Sequence, residues 1–475
     1  MRRSLVFAIG LFVLLASFSS SLRAQQGEVA EERFRMLEER IRALEAEVQS
    51  LKAALPGGAP EAAAAPTAPA PTQTPLQAPA APLPIYGGAA SLSKALNPDI
   101  GVIGNFIGAA GRNIISPFPS LSLRESEFSF QAIVDPYARA DFFLSVGEEG
   151  AAVEEGYITF PALPGGFSLK AGQMRSNFGK INPLHNHVLP WIDRPLTTYN
   201  LLGGEQGESD AGIKDAGLSL SRILPAPGEV FLEGTAEVYR GSSGNLFQSN
   251  RRSDLSSIFR LRGYKDLSES TNLEIGGSYA RGHNDVNSQQ INRFCTTPSV
   301  PRPDFFGRCT HIIPEDLINA RDLFGKDFTT QLFGVDATLR WKPLRRAIYH
   351  SFIARTEFVW SRREDVSGPP ACSNPFGCRN PTYAATTLGG RGFYASADYQ
   401  FARRWFGGAR VDWAERAWDP GAHDSAQSLV VTYWPSEFSQ VRGQLRRTQY
   451  AEGHTANELL FQFQYTLGAH GAHPF

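Results

Sequence analysis

Gln331-Leu-Phe-Gly-Val-Asp-Ala-Thr-Leu-Arg-Trp341 decides the fold. Phe333, Val335, Ala337, Leu339 and Trp341 share one register, and Asp336, Thr338 and Arg340 take the other. A period of two places these sets on opposite faces of an extended strand. The alternation returns along the chain. Phe128, Phe130, Ala132 and Val134 oppose Glu125, Glu127, Ser129 and Gln131. Ala138, Ala140, Phe142, Leu144 and Val146 oppose Arg139, Asp141 and Ser145. Runs of about ten such residues are the signature of transmembrane barrel strands. A soluble sandwich alternates in the same way, with its polar face to water, so the connections must separate the two.

The pattern predicts strands at 99–107, 123–134, 137–146, 152–160, 166–176, 212–222, 229–240, 256–267, 271–281, 328–342, 349–363, 388–401, 404–416, 426–434, 437–450 and 456–467. That is about sixteen, an even number as bacterial barrels require. From Lys170 onward the connections alternate. Short turns hold Pro225–Pro227, Asp266–Ser268, Lys342–Arg346, Ala402–Arg403 and Pro435. Longer loops cover 177–211, 241–255, 282–327, 364–387 and 417–425. Short periplasmic turns alternating with long external loops fit a membrane barrel, and a sandwich gives no reason for that parity. Both ends of the barrel then fall on the periplasmic side.

Ahead of the barrel lie three other zones. Residues 1–24 read as a signal peptide: Arg2 and Arg3, an apolar run from Leu5 to Ser17, then small residues to Ala24. That run is shorter than the roughly 20 residues of a spanning helix. In 27–55, Phe34, Leu37, Ile41, Leu44, Val48, Leu51 and Leu55 recur at alternate spacings of three and four, which predicts a periplasmic coiled coil. Its Ile and Val with Leu lean towards a dimer. Residues 56–84 are nearly all Ala, Pro, Gly and Thr, an extended linker. The barrel zone is 85–475, with Ile85–Pro98 as a lead-in.

Composition agrees with this order. The chain has 475 residues, 45 Gly, 32 Phe, 14 Tyr and 7 Trp, which suit tight turns and aromatic girdles better than a helical enzyme. A net charge of -1 gives no basic excess for nucleic acid. Cys295, Cys309, Cys372 and Cys378 fall as two local pairs in two expected loops, so an exported chain predicts two disulfides. No cofactor is indicated and no metal set is assigned. His185 and His187 are the metal-ligating candidates, because His-x-His with Asp193 nearby suits zinc or copper; an ordinary surface loop is the plainer reading. His470 and His473 form a second such pair. No Gly-x-Ser-x-Gly elbow, phosphate-binding loop or His-Glu-x-x-His occurs, so no enzyme is expected.

Strand faces assign the candidate pore lining: Arg139, Asp141, Lys170, Glu233, Glu237, Arg260, Arg262, Asp336, Arg340, Arg355, Glu357, Arg410, Asp412, Arg442 and Arg446. With Glu127, Glu155, Glu274, Asp398 and Arg416, anions and cations are about equal in number, so the wall predicts no strong anion field. Arg260 with Arg262 and Arg442 with Arg446 read as basic clusters, and Glu233 with Glu237 as an acidic one.

Leu169-Lys-Ala-Gly-Gln-Met-Arg-Ser-Asn-Phe-Gly179 resembles a strand of the phosphate-selective (O/P-type) porin family, and Arg194-Pro195-Leu196 resembles its next landmark. The order of signal, coiled coil, linker and sixteen-strand barrel matches as well. The resemblance implies a trimeric, diffusive porin in the outer membrane of a Gram-negative-type bacterium. It leaves dimer against trimer open. The final strand, with Leu459, Phe461, Phe463, Tyr465 and Leu467 in the register of Phe475, resembles the signal by which barrels enter the assembly machinery. The function expected is passive diffusion of small hydrophilic solutes or ions. A plugged TonB-dependent-type receptor, a metal-related receptor or a structural tether are the alternatives.

Overall fold

The computed structural model describes residues 98–148, 150–203, 211–244, 246–249, 251–284, 286–287, 317–318, 325–371 and 382–468. The expected signal, coiled coil and linker, the four cysteines, His470, His473 and Phe475 lie outside the described residues.

Sixteen long strands form one antiparallel sheet. They are β1 Asp99–Arg112, β2 Leu121–Asp135, β3 Ala138–Gly147 and β4 Gly150–Leu163. β5 Phe167–Arg175, β6 Lys214–Leu224, β7 Phe231–Tyr239 and β8 Ser256–Ser268 follow. β9 is Thr271–Asn284, β10 Phe328–Trp341, β11 Ser351–Ala371 and β12 Thr382–Ala402. β13 Trp405–Arg416, β14 Asp419–Ser436, β15 Ser439–Gln449 and β16 Thr455–Gly468 complete the sheet. Each pairs with its neighbour in sequence, and Gly101–Arg112 pairs back onto Asn457–Gly468, which closes the barrel. Closure leaves no edge strand, so every ladder group finds a partner without water.

Polarity runs opposite to that of a soluble protein. On β10, Phe333 and Val335 are 47% and 48% exposed, whereas Leu332 and Asp336 are 0% and 1%. Leu218, Phe259, Leu261, Ile275, Phe358, Val411, Leu429, Leu445, Leu459 and Leu467 likewise face outwards around the ring. Glu127, Glu237, Glu274, Arg410, Arg442 and Gln462 are buried inside. An apolar outer belt of this extent is stable only against an apolar solvent. Near the short turns at Arg403–Arg404 and 437–438 the belt ends in stacked rings. Trp405 lies 4.5 Å from Tyr433 and 6.4 Å from Phe401. Such rings suit the membrane interface.

The expected strands each correspond to an observed one, but two loops differ. Residues 417–425, expected as a loop, mostly belong to β14, which begins at Asp419 and pairs with β13 through His423 and Asp424. Of the loop expected over 364–387, residues 364–371 belong to β11 and 382–387 to β12, and the rest lie outside the described residues. The ladder continues past the apolar belt into water, where hairpins need no apolar alternation. Ion pairs hold it there: Arg416 bonds Asp424 at 2.9 Å and Glu452 at 2.6 Å.

Gly172, inside the motif strand β5, has φ +147, and a Cβ there would lie 2.2 Å from Gly156 O and 2.6 Å from Tyr157 Cα. Both obstacles are backbone, so neither can swing aside. Gly172→Ala is expected to destabilise the barrel by about 1–3 kcal/mol. A lower denaturant midpoint, followed by heat-modifiable gel migration, checks it; an unchanged midpoint would refute it.

Candidate functional site

The longest early connection is described over 176–203 and 211–213. Its described residues turn inwards and are bonded to the inner wall around most of the ring. At its start, Asn177 donates its backbone N–H and Nδ2 to Glu237 of β7, both at 2.9 Å. Gly179 N–H donates to Ser278 Oγ of β9 at 3.0 Å, and Lys180 N–H to Glu357 Oε2 of β11 at 3.1 Å. Lys180 Nζ reaches Glu274 of β9 at 2.5 Å. Asn182 ties the two ends of the loop: Nδ2 donates to Ser176 O and Ile213 O, and Oδ1 accepts from Ile213 N–H at 2.7 Å.

Pro183, Pro190 and Pro195 shape the middle, removing three N–H donors that a lumenal segment would otherwise have to satisfy. Other backbone groups find side chains, or each other in short turns such as Leu184 N–H to Ile181 O. Arg194, fully buried, donates to Asn186 Oδ1 at 2.9 Å, to Leu184 O at 2.5 Å and to Ile181 O at 3.3 Å, so it staples the loop to itself. Burial and the nearby Arg175 bring its guanidinium down to about 9. Arg442 of β15 donates to Leu189 O at 2.7 Å and to Trp191 O at 3.2 Å. A short helix, α1 Leu196–Leu201, then lies against β13, where Leu196 N–H donates to Asp412. Asn200 Nδ2 donates to Asp424 of β14 at 2.9 Å.

Asp193 is the hub. Its Oδ2 accepts from Arg410 of β13 at 2.8 Å and from Arg446 of β15 at 3.0 Å. Its Oδ1 accepts from Gln444 Nε2 at 2.6 Å. Burial pushes this carboxyl up, but the two arginines and Gln444 outweigh it and hold the group at about 2. Trp191 beside it is fully buried, edge-on to Tyr394 at 5.4 Å, with Arg410 4.6 Å above its ring.

All fifteen candidate lining residues lie on the inner face, in four situations. Glu237, Glu357, Arg410, Asp412, Arg442 and Arg446 hold the loop. Arg139 with Asp141, Arg260 with Asp336, and Arg355 with Asp398 pair along the wall at 2.6, 3.0 and 2.5 Å. Arg262, Glu233 and Arg340 meet solvent inside the barrel, with side chains 38%, 27% and 30% exposed. Lys170 sits 4.6 Å over the Tyr157 ring.

The like-charge clusters expected from sequence are not formed. Arg260 and Arg262 turn to Asp336 and Glu233. Arg446 turns to Glu458 and Asp193, and Glu237 is satisfied by Asn177 and Ser219. Arg262 and Arg446 face Glu233 and Glu458 directly on the adjacent strand, whereas Arg260 reaches Asp336 two strands away across Gly276, and Glu237 is met by neutral donors. Asp193, expected beside the histidines, goes instead to the arginines. Glu154, Gln444, Asn182 and Glu458 were not expected from the strand pattern. His185 and His187 sit where the loop meets β2 and β4, next to Glu127, Glu154 and Glu155. Burial lowers the His185 imidazolium, but Glu154 and Glu127 raise it well above the usual histidine value.

No family model matches the chain. A curated protein of Aquifex aeolicus, itself uncharacterized, is 28% identical over 375 residues, covering 74% of this chain and 70% of its own. Among solved structures, the outer membrane channel DcaP of Acinetobacter baumannii is 11% identical with a TM-score of 0.43, over 81% of this chain and all of its own. The anion-selective porin from Comamonas acidovorans is 9% identical with a TM-score of 0.44, over 78% and 98%. OmpT, an outer membrane protein of Vibrio cholerae, is 8% identical with a TM-score of 0.44, over 78% and 97%.

Asp193→Asn would leave Arg410 and Arg446 facing an amide, and breaking one partner of a buried pair costs about 3–5 kcal/mol. The barrel is expected to stay heat-modifiable, while hydrogen exchange across 184–201 accelerates. The acid response follows from the lowered carboxyl. Its contribution is complete above the ordinary value of 3.8 and is lost as pH falls through about 2. Loop protection that persists unchanged at pH 2 would show that Asp193 is not the latch.

Proposed function

We propose that the chain is an outer-membrane porin: a passive path for small hydrophilic solutes or ions through the barrel lumen, narrowed by the inward loop. One observation supports this most. The closed sixteen-strand barrel carries solvent-reached charges inside, at Arg262, Glu233, Arg340 and Lys180, and an apolar belt outside. Sixteen strands enclose an aqueous channel, whereas a plugged receptor takes about twenty-two. Diffusion needs no catalytic group. We propose a homo-oligomer in the membrane, with a trimer favoured over a dimer, entering through the assembly machinery by its last strand.

Selectivity is expected to be weak. A phosphate-selective pore needs a positive constriction, but the arginines nearest the loop are engaged: Arg410 by Asp193 and Asp412, Arg446 by Asp193 and Glu458, Arg442 by carbonyls. Wall cations are likewise paired with wall anions, which cancels the field a short distance away.

In planar bilayers the protein is expected to open in small steps. Replacing 178–201 by a short Gly-Ser linker is expected to raise the step severalfold. Silence of both forms would overturn the porin reading and favour a tether. In a salt gradient the reversal potential is expected to stay near zero, and strong anion preference would refute weak selectivity.

A further inference from the structure

The loop carries two histidines against three wall carboxylates. The 3-10 turn Asn186–Val188 places both imidazoles on the same wall, their rings 5.6 Å apart. His185 Nδ1 lies 2.7 Å from Glu127 Oε2 and 3.8 Å from Glu154 Oε2. His187 Nδ1 faces the same Glu127 oxygen at 3.4 Å. It makes no hydrogen bond, although its side chain is only 7% exposed. Donor atoms of Glu127, His185 and His187 all fall within 4.8 Å of one another.

We propose that Glu127, His185 and His187 form a binding site for one divalent transition-metal ion, of the zinc type, with Glu154 at its edge as a fourth ligand. Imidazole and carboxylate together are a zinc donor set. With metal–donor bonds of about 2.0–2.1 Å, neighbouring donors of a tetrahedral ion stand about 3.3 Å apart. The His187–Glu127 separation already matches that edge, and the His185–Glu154 separation is a little longer. Only the His185–Glu127 contact must open, because a proton occupies it now; the ion would take that proton's place, and the proton would go to solvent.

Two features point beyond a plain ion pair. A buried nitrogen left without a partner costs about 1–3 kcal/mol, and hydrogen bonding to His185 does nothing for His187. The outer groups are also in place. His185 Nε2 meets Glu155 Oε2 at 2.7 Å, and Glu155 accepts from the Arg175 backbone N–H at 2.6 Å. Glu154 accepts from the Arg175 guanidinium at 3.1 Å. A carboxylate behind a ligating histidine is the usual means of orienting it. The bound ion would join the loop to β2, whereas Asp193 joins it to β13 and β15.

The test uses the full chain in detergent with His470 and His473 changed to alanine, stripped with chelator and titrated with zinc chloride by calorimetry near neutral pH. One zinc per chain is expected, and His187→Ala and Glu127→Gln are each expected to weaken it at least tenfold in barrels that remain heat-modifiable. Absence of zinc binding, or unchanged affinity in His187→Ala, would overturn the site. Should Glu127→Gln fail to fold, His187→Ala decides alone, since that nitrogen makes no hydrogen bond whose loss could unfold the loop.

Discussion

A hydrocarbon solvent satisfies no backbone group, and this constraint governs the whole molecule. It obliges β1 to pair with β16 and so closes the ring. Closure divides the side chains of every strand between lipid and lumen. The lipid face must then be apolar, as it is at Phe259, Val335 and Leu429. The inner face inherits the polar residues, and their charges, in turn, fix the position of the inward loop.

Around the loop the inner wall therefore behaves as a polar core. Arg260 with Asp336, Arg355 with Asp398 and Arg446 with Glu458 are pairs between or across neighbouring strands. Desolvating a charge is costly, and pairing with good geometry is what makes it tolerable. The same requirement explains why so many of the loop's partners are acidic or basic side chains with several hydrogen-bonding atoms. Glu357 accepts the Lys180 and Ile181 backbone N–H groups, and Glu237 accepts the Asn177 backbone N–H together with its Nδ2, which suits a segment lacking ladder hydrogen bonds.

Strand positions were legible because a two-residue period is local. Phe333, Val335 and Asp336 declare their faces within one turn of sequence. Parity likewise placed Arg139, Arg262 and Arg410 inside. The extended hairpin ends were not legible: Thr382 to Thr387 and Asp419 to Asp424 lie beyond the apolar belt and carry no clear alternation. The path of the loop was less legible still. Asp193 meets Arg446 across 253 positions, and no periodicity links them. Gly172 permits a close strand approach and Arg194 staples the loop, but the spacing of the two stretches that hold them states neither role.

Charge alone would not keep the loop inside. Each ion pair in the lumen replaces hydration that both partners had in water, so the net gain is small. The apolar anchors are distributed instead. Phe178 enters a cluster with Tyr239, Leu332 and Val359; Leu189 and Trp191 meet Tyr394 and Val430; Ile192 meets Ile107 and Leu460; Leu196 meets Ala414 and Ala426. Full burial of one such side chain is worth about 1.5–3 kcal/mol. Four separate contacts around the ring therefore supply most of the holding energy. Apolar contact, however, is indifferent to register, and an inward loop held by it alone could slide. Asp193, Asn182 and Arg194 remove that freedom, because their hydrogen bonds are satisfied at one position only. Burial thus keeps the loop in the lumen, and the buried polar network decides where the lumen is narrowed.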